Sequence, residues 1–228
     1  MIKKFFKRAI VVFFVSSVGA VLLGRFIPIY YTPLMFIRLY EQHADNRQLK
    51  LSHKWVPMEE ISHNVPLAVM ASEDNLFMQH HGFDVQQIKL AAEEAAEGGR
   101  KRGASTISQQ TAKNVFLWNG HSWLRKGLEA YFTVLIEALW GKERIMEVYL
   151  NSIEMGDGIY GVEAVAQEHF GTHASSLTKR QSALIAASLP NPLKRNSGNP
   201  TSYMRRRSRQ IVRLMRNIEN PQMGCEVK

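Results

Sequence analysis

Residues 123–140 read WLRKGLEAYFTVLIEALW. Leu124, Leu128, Phe132, Leu135, Ile136 and Leu139 recur every three or four positions, so the stretch is a helix with one apolar stripe. Gly141 breaks it, and KERIMEVYLN starts a second helix at once. Upstream, Ser105 is a good N-cap for TISQQTAKNVF. Pro66 fits the first helical position behind Asn64 or Val65 and opens PLAVMAS. Downstream, Thr178 and Gln181 form a capping box before KRQSALIAASL, which Pro190 and Pro192 stop. The alanine-rich LAAEEAAE adds another helix. No long alternation of apolar and polar residues follows residue 40, and no internal repeat is present. The pattern predicts an all-α domain from about residue 50 to 218.

The chain has 228 residues, enough for one domain with a short appendage. At 45% apolar and 10% aromatic it can bury a core, which excludes wholesale disorder. Its one cysteine, Cys225, excludes an internal disulfide and a multi-cysteine zinc site. The net charge of +9 sits at the ends. Residues 1–40 carry six basic groups and no acid, and residues 194–216 carry eight and no acid. Residues 41–193 hold 14 basic and 18 acidic groups. The basic pI therefore describes what the ends touch rather than the core.

The amino end opens MIKKFFKR and continues as AIVVFFVSSVGAVLLG, residues 9–24, without a charge. A helix of that length covers roughly 24 Å, somewhat less than a hydrocarbon core of about 30 Å. Arg25 can snorkel, and Phe26, Ile27, Ile29, Tyr30 and Tyr31 extend the run with an aromatic belt. A cleaved signal peptide starts the same way. Here the apolar run continues to Ile37, past any small-residue cleavage site, which favours a retained anchor. Basic residues before the span place the amino terminus in the cytoplasm and the remaining chain outside it.

Three segments carry candidate chemistry. Glu73 and Asp74 follow the apolar turn VPLAVMA, and desolvation there would raise a carboxylate's pKa and make it a better base. In GASTISQQTAKN, residues 103–114, Ser105, Gln109 and either Lys113 or Thr106 fall on one helical face, and such a start suits a phosphate or a sugar. In RKGLE, Arg125, Lys126 and Glu129 share a face. Taken singly, these are also what a solvated helix end, a capped amphipathic helix and a surface ion pair look like. EGGRKRG, residues 97–103, is a poor helix former: a surface loop, or a flap beside an anion site. The eight histidines show no metal-ligand spacing, and no Gly-rich nucleotide loop is present. Ser176-to-Lys179 matches S-x-x-K, but no KTG follows, so it reads as part of the capping box. The arginines at 205–216 suit nucleic acid or, beside an anchor, anionic lipid headgroups.

In order along the chain, these segments resemble the motifs of the family-51 peptidoglycan glycosyltransferases. EDNLFMQHHG is similar to the first motif at Glu73, Asp74, Phe77, His80 and Gly82. GASTISQQTAKN resembles the second, and RKGLEA the third at Arg125, Lys126 and Glu129. KERIMEVYLN, with Tyr149, Leu150 and Asn151, resembles the fourth, and LTKRQSALIAASLPNP the fifth. The likeness covers roughly residues 50–215 and is strongest to the monofunctional biosynthetic members, which lack the acylating penicillin-binding domain.

The resemblance implies an all-α, lysozyme-like glycosyltransferase domain with head and jaw lobes, carried on a transmembrane helix. The implied division is a cytoplasmic basic tail at 1–8, an anchor at 9–29, a membrane-proximal segment at 30–54, the catalytic domain at 55–218 and a flexible tail at 219–228. Residues 30–40 are expected to pack with part of 83–104 against the membrane surface. The implied substrate is lipid II, a disaccharide-pentapeptide on undecaprenyl pyrophosphate. The implied product is a linear β-1,4 glycan, made at the periplasmic face of a bacterial inner membrane.

Glu73 would be the general base in an inverting attack, and Glu129 would organise the pyrophosphate through a divalent cation, Mg or Mn. Lys113, Arg125 and Lys126 would neutralise the leaving pyrophosphate. Ser105, Thr106, Gln109, Gln110 and Asn114 would contact substrate, with Asp74, Phe77 and His80 in support. Membrane lipid and the growing strand are the implied partners, cell-division and wall-synthesis proteins are candidates, and no nucleic acid is expected. His121 stands where relatives commonly have arginine. A lytic hydrolase is the nearest rival, but it needs no cationic pyrophosphate site. A non-catalytic wall scaffold is a further rival, and the intact acids at 73 and 129 argue against it.

Overall fold

Side-chain caps open half of the described α-helices. The computed structural model describes residues 2–99, 103, 105–120 and 122–218. The helices are α1 (Ile2–Phe26), α2 (Pro33–Ala44), α3 (Asn64–Glu73), α4 (Val85–Ala96) and α5 (Ile107–Phe116), then α6 (Trp123–Leu139), α7 (Lys142–Ser152), α8 (Val162–Phe170), α9 (Lys179–Ser188) and α10 (Ser202–Leu214). Ser122 caps α6 by accepting from the Arg125 N–H, and Asp84 caps α4 through the Gln87 N–H. The expected capping box of Thr178 and Gln181 opens α9.

Two expected boundaries move. The N-cap of α5 is Thr106, not Ser105. From Thr106 the third residue is Gln109, whose Oε1 accepts the Thr106 N–H at 3.1 Å and completes a reciprocal cap. From Ser105 it would be Ser108, whose hydroxyl is committed to Glu137 at 2.5 Å. In α3 the proline is the third helical residue, after Asn64 and Val65. A first-turn N–H has no intrahelical partner, so a proline there removes nothing.

α3 and α9 are the central helices. Val65 to Ala71 and Ser182 to Ser188 are buried around the whole circumference, and the two helices pack on each other under α10. α5 packs on α6 and α7, where Tyr149, Ile145, Met146 and Leu150 are fully buried. A small sheet, absent from the sequence expectation, completes the body: β1 (Ser52–His53), β2 (Glu154–Gly156) and β3 (Ile159–Tyr160). β3 lies between the other two, parallel to β1 and antiparallel to β2. Strands of two and three residues are too short to show a period. Gly158 permits the pairing: its φ is +67°, and a Cβ there would lie 2.4 Å from the Lys50 carbonyl oxygen.

The apolar stripe of α6 is only partly core. Phe132 and Ile136 are buried, Leu128, Leu135 and Leu139 are half-buried, and Leu124 is 70% exposed. α5 covers most of this helix, with the Phe116 ring stacked on Phe132, and α1 packs on it as well. Ser17 Oγ and Tyr131 Oη hydrogen bond at 2.7 Å, with Phe13 and Phe14 against the same tyrosine ring. Trp140 Nε1 donates to the Val21 carbonyl at 2.7 Å. Arg144 donates to the carbonyls of Gly24 and Ile27, and Arg25 to that of Leu139. Elsewhere α1 is largely exposed; its most apolar 18-residue window has a mean hydropathy of 2.1, long and apolar enough to cross a membrane. Regular helix already begins at Ile2, ahead of the span read from the sequence.

α2 packs on α5, and its Leu34 and Met35 cluster with Tyr160 and Leu51. α4, from the 83–104 segment expected to join it, buries none of its side chains.

Candidate active site

The buried helix α3 ends on Glu73 and delivers Asp74 just beyond it. Asp74 is buried. Its Oδ2 accepts the Ile107 N–H, the first of α5, at 3.0 Å, so the carboxylate sits on the positive end of that helix. His80 Nε2 lies 2.9 and 3.0 Å from the two Asp74 oxygens. The Gly82 N–H donates to His80 Nδ1 at 3.1 Å, which leaves the ring hydrogen on Nε2 to donate to Asp74. Thr106 Oγ1 donates to the Gly82 carbonyl at 2.6 Å and closes the loop onto α5. Gly82 has a φ of +92°, and a Cβ there would lie 2.8 Å from Thr133. Phe77 is fully buried, edge-on to His80, with Lys142 Nζ 4.5 Å from its ring centre. Asp74, Phe77 and His80 thus build the loop that fixes Glu73.

Glu73 has weaker company. Ser72 Oγ donates to Oε1 at 3.2 Å and Gln110 Nε2 to Oε2 at 3.4 Å. Burial pushes its pKa above the ordinary carboxylate value, against the opposing pull of those hydrogen bonds and of Arg207 and Arg195. Gln110 Oε1 accepts from Tyr149 Oη at 3.2 Å, so a hydrogen-bond chain runs from the fully buried tyrosine to Glu73. Burial, then Glu73 and Asp74, hold the phenol well above its usual range. The sequence pointed to Tyr149 only as part of a motif and gave no sign that it touches this chain of groups. A cavity of about 560 Å³ opens beside Glu73, Asp74, Ser105, Thr106 and Arg207.

The second charged centre lies on α6. Glu129 is buried, with Arg125 Nη1 on Oε2 at 2.7 Å and Lys126 Nζ on Oε1. Arg125 is buried too, and its Nε has no hydrogen-bond partner. That buried N–H is left unspent by the protein. Half-buried Lys113 approaches from α5; burial lowers its pKa, Glu129 raises it, and Arg125, Lys126 and Arg38 lower it again. Three cations against one carboxylate leave an excess of positive charge suited to a phosphate-type anion. Arg38, which sequence reading passed over, joins the periphery through Glu41 at 2.6 Å and Glu154 at 3.2 Å.

This centre does not make a protein-borne metal site. Both Glu129 oxygens are taken by cations, and the described residues hold no group of three or more His, Cys, Asp or Glu placed for a metal. Among the expected substrate contacts, Thr106 and Gln109 are spent on the cap, and Gln110 bridges Glu73 and Tyr149. Asn114 is buried; Ser105 is exposed, precedes α5 and lines the cavity. His121, the cationic part of EGGRKRG and the 219–228 tail lie outside the described residues.

Residues 41–216 match the family model described as Transglycosylase. The chain is 54% identical to the biosynthetic peptidoglycan transglycosylase of Bacteroides thetaiotaomicron, over 94% of this chain and 86% of that one. It is 50% identical to the protein so named in Bdellovibrio bacteriovorus, over 92% and 84%. For the Pseudomonas syringae pv. syringae protein of the same name the identity is 48%, over 92% and 89%.

Proposed function

Because the chain belongs to the transglycosylase family, we propose that it is a peptidoglycan glycosyltransferase of cell-wall synthesis that polymerises lipid II into linear β-1,4 glycan and releases undecaprenyl pyrophosphate. Its helical body is the lysozyme-like fold of that family. Glu73 takes the proton from the acceptor's 4-hydroxyl as that oxygen attacks the anomeric carbon from the face opposite the leaving group. The configuration therefore inverts. A carboxylate with a raised pKa accepts a proton more readily than a solvated one, and the cavity beside it gives a sugar room. Charge develops on the departing pyrophosphate, where the positive charges of Lys113, Arg125 and Lys126 neutralise it in a preorganised setting. Glu129 keeps these cations in register. A divalent cation, Mg or Mn, belongs to this reading only as a companion ion that the pyrophosphate brings with it.

α1 is a single-pass anchor, and the body stands on the periplasmic face of a bacterial inner membrane, where lipid II is presented. The observation that carries the reading is the contrast within one chain: a weakly held, half-buried carboxylate at the cavity, and a buried carboxylate saturated by cations. Incubation with labelled lipid II in detergent should give a polymer ladder. Breakdown of pre-formed glycan without polymerisation would replace this reading with a hydrolase.

A further inference from the structure

Behind Glu73, on the side of α9 and α10, lies a second cleft of about 430 Å³. Ser72, Glu73, Arg195, Tyr203, Arg206 and Arg207 contribute to its walls, and Glu73 is the one acid among them. Arg195 stacks over the Tyr203 ring at 5.2 Å, and Tyr203 as a residue remains 48% exposed. Arg206 is exposed and Arg207 half-buried. The wider field has the same sign: residues 169–218 contain ten Lys and Arg and no Asp or Glu. This basic surface is built on the opposite partnerships from the anchor, since α10 packs on α9 and α3 while α1 packs on α6. Nor does it share a residue with the Lys113, Arg125 and Lys126 centre.

We propose that this cleft is a further binding subsite, which takes the carboxylate-bearing peptide arm of a sugar unit placed at Glu73. The proposal rests on the peptidoglycan reading. Guanidinium groups pair with carboxylates in two-pronged fashion, and an arginine already stacked on a tyrosine loses little freedom on binding. The Tyr203 ring offers an apolar face for the sugar itself. An arm held here sets which hydroxyl faces Glu73, so the subsite governs specificity rather than proton transfer.

The test compares lipid II carrying free peptide carboxylates with lipid II whose peptide carboxylates are amidated. The enzymes are the full chain and the Arg195→Gln/Arg206→Gln double variant. With the free carboxylates, the double variant should lose about tenfold in kcat/KM, mainly through KM, as for one lost charge-assisted hydrogen bond. With the amidated substrate the two proteins should share one plateau rate, with only the acid limb moving to higher pH as Glu73 loses the pull of Arg195. Arg206→Lys, which keeps the charge but loses the two-pronged geometry, should show an intermediate loss, and matching melting temperatures would show that the fold is intact. Equal rates with both substrates, or an equal loss with both, would overturn the subsite. So would loss of binding to phosphatidylglycerol vesicles as the one defect of the double variant. If the unaltered chain polymerises neither substrate, the function falls instead. Binding of a soluble disaccharide-peptide, which needs no turnover, then still decides the subsite: salt-sensitive binding lost in the double variant supports it, and equal binding overturns it.

Discussion

Glu73 and Glu129 are the two buried or half-buried glutamates of the candidate site, and their surroundings are opposites. Glu73 has two long hydrogen bonds from neutral side chains, and burial holds its pKa up. Glu129 has a cation on each oxygen. A carboxylate left short of partners exchanges a proton at small cost; one saturated by cations keeps its charge and arranges those cations instead. The same side chain is thus fitted to two tasks by what surrounds it.

Glu73→Gln tests the contrast most severely. A carboxamide cannot take the proton, so turnover should fall by roughly 10²–10⁴, with lipid II binding nearly kept. The fold should gain. In the folded protein this acid has a raised pKa, so its ionisation is penalised as pH rises from about 4.5 through that value. The penalty grows as pH climbs through that window, and the glutamine variant, which never ionises, should melt increasingly higher than the unaltered chain along it. A variant that turns over normally would remove Glu73 as the base.

Glu129→Ala should do the reverse. It strands the buried guanidinium of Arg125 and should cost about 3–5 kcal/mol of stability in denaturant titration, together with activity. Glu129→Gln should lose less stability while weakening affinity for inorganic pyrophosphate, since the cations lose their register. If Glu129→Ala is as stable as the unaltered chain, the ion-pair centre is not structural.

Asp74→Asn separates support from chemistry. The amide can still accept at one atom, but its NH₂ would face either the Ile107 N–H or the His80 Nε2–H. About 1–3 kcal/mol of stability should go, and turnover should fall less than in Glu73→Gln. An Asp74→Asn protein deader than Glu73→Gln would exchange the roles of the two acids. The smallest effect is expected of Gln110→Ala, which removes a hydrogen bond that lowers the Glu73 pKa. The acid limb of the rate profile should then move to higher pH, with the plateau rate little changed. An unmoved limb would mean that Gln110 does not tune the base.

The acids, the cations and most helices were legible because their signals are local: a capping box, a 3.6-residue period, charges one turn apart. What the sequence hid depends on contacts distant along the chain. Tyr149 acquires its place only through Gln110, 39 positions away. Arg38 reaches Glu154 across 116 positions. Nothing in RKGLE distinguishes a surface ion pair from the buried one that forms, since burial is decided by α5. A polar side chain near a helix start serves a cap or a substrate equally well, and the sequence did not show that Gln109 Oε1 closes the cap of α5. Leu124 looked like core because periodicity cannot tell that the helix overruns the body it covers.

The locking of α1 to the body has a mechanical consequence. Its last carbonyls are held by Trp140 and Arg144 rather than released into a flexible linker. The helix is therefore a mast rather than a tether. It cannot swivel without breaking the Ser17 to Tyr131 bond and unseating Val21. The distance and the compass heading of the cleft relative to that helix are then set by helix rise and twist, as clearance is set on a machine tool.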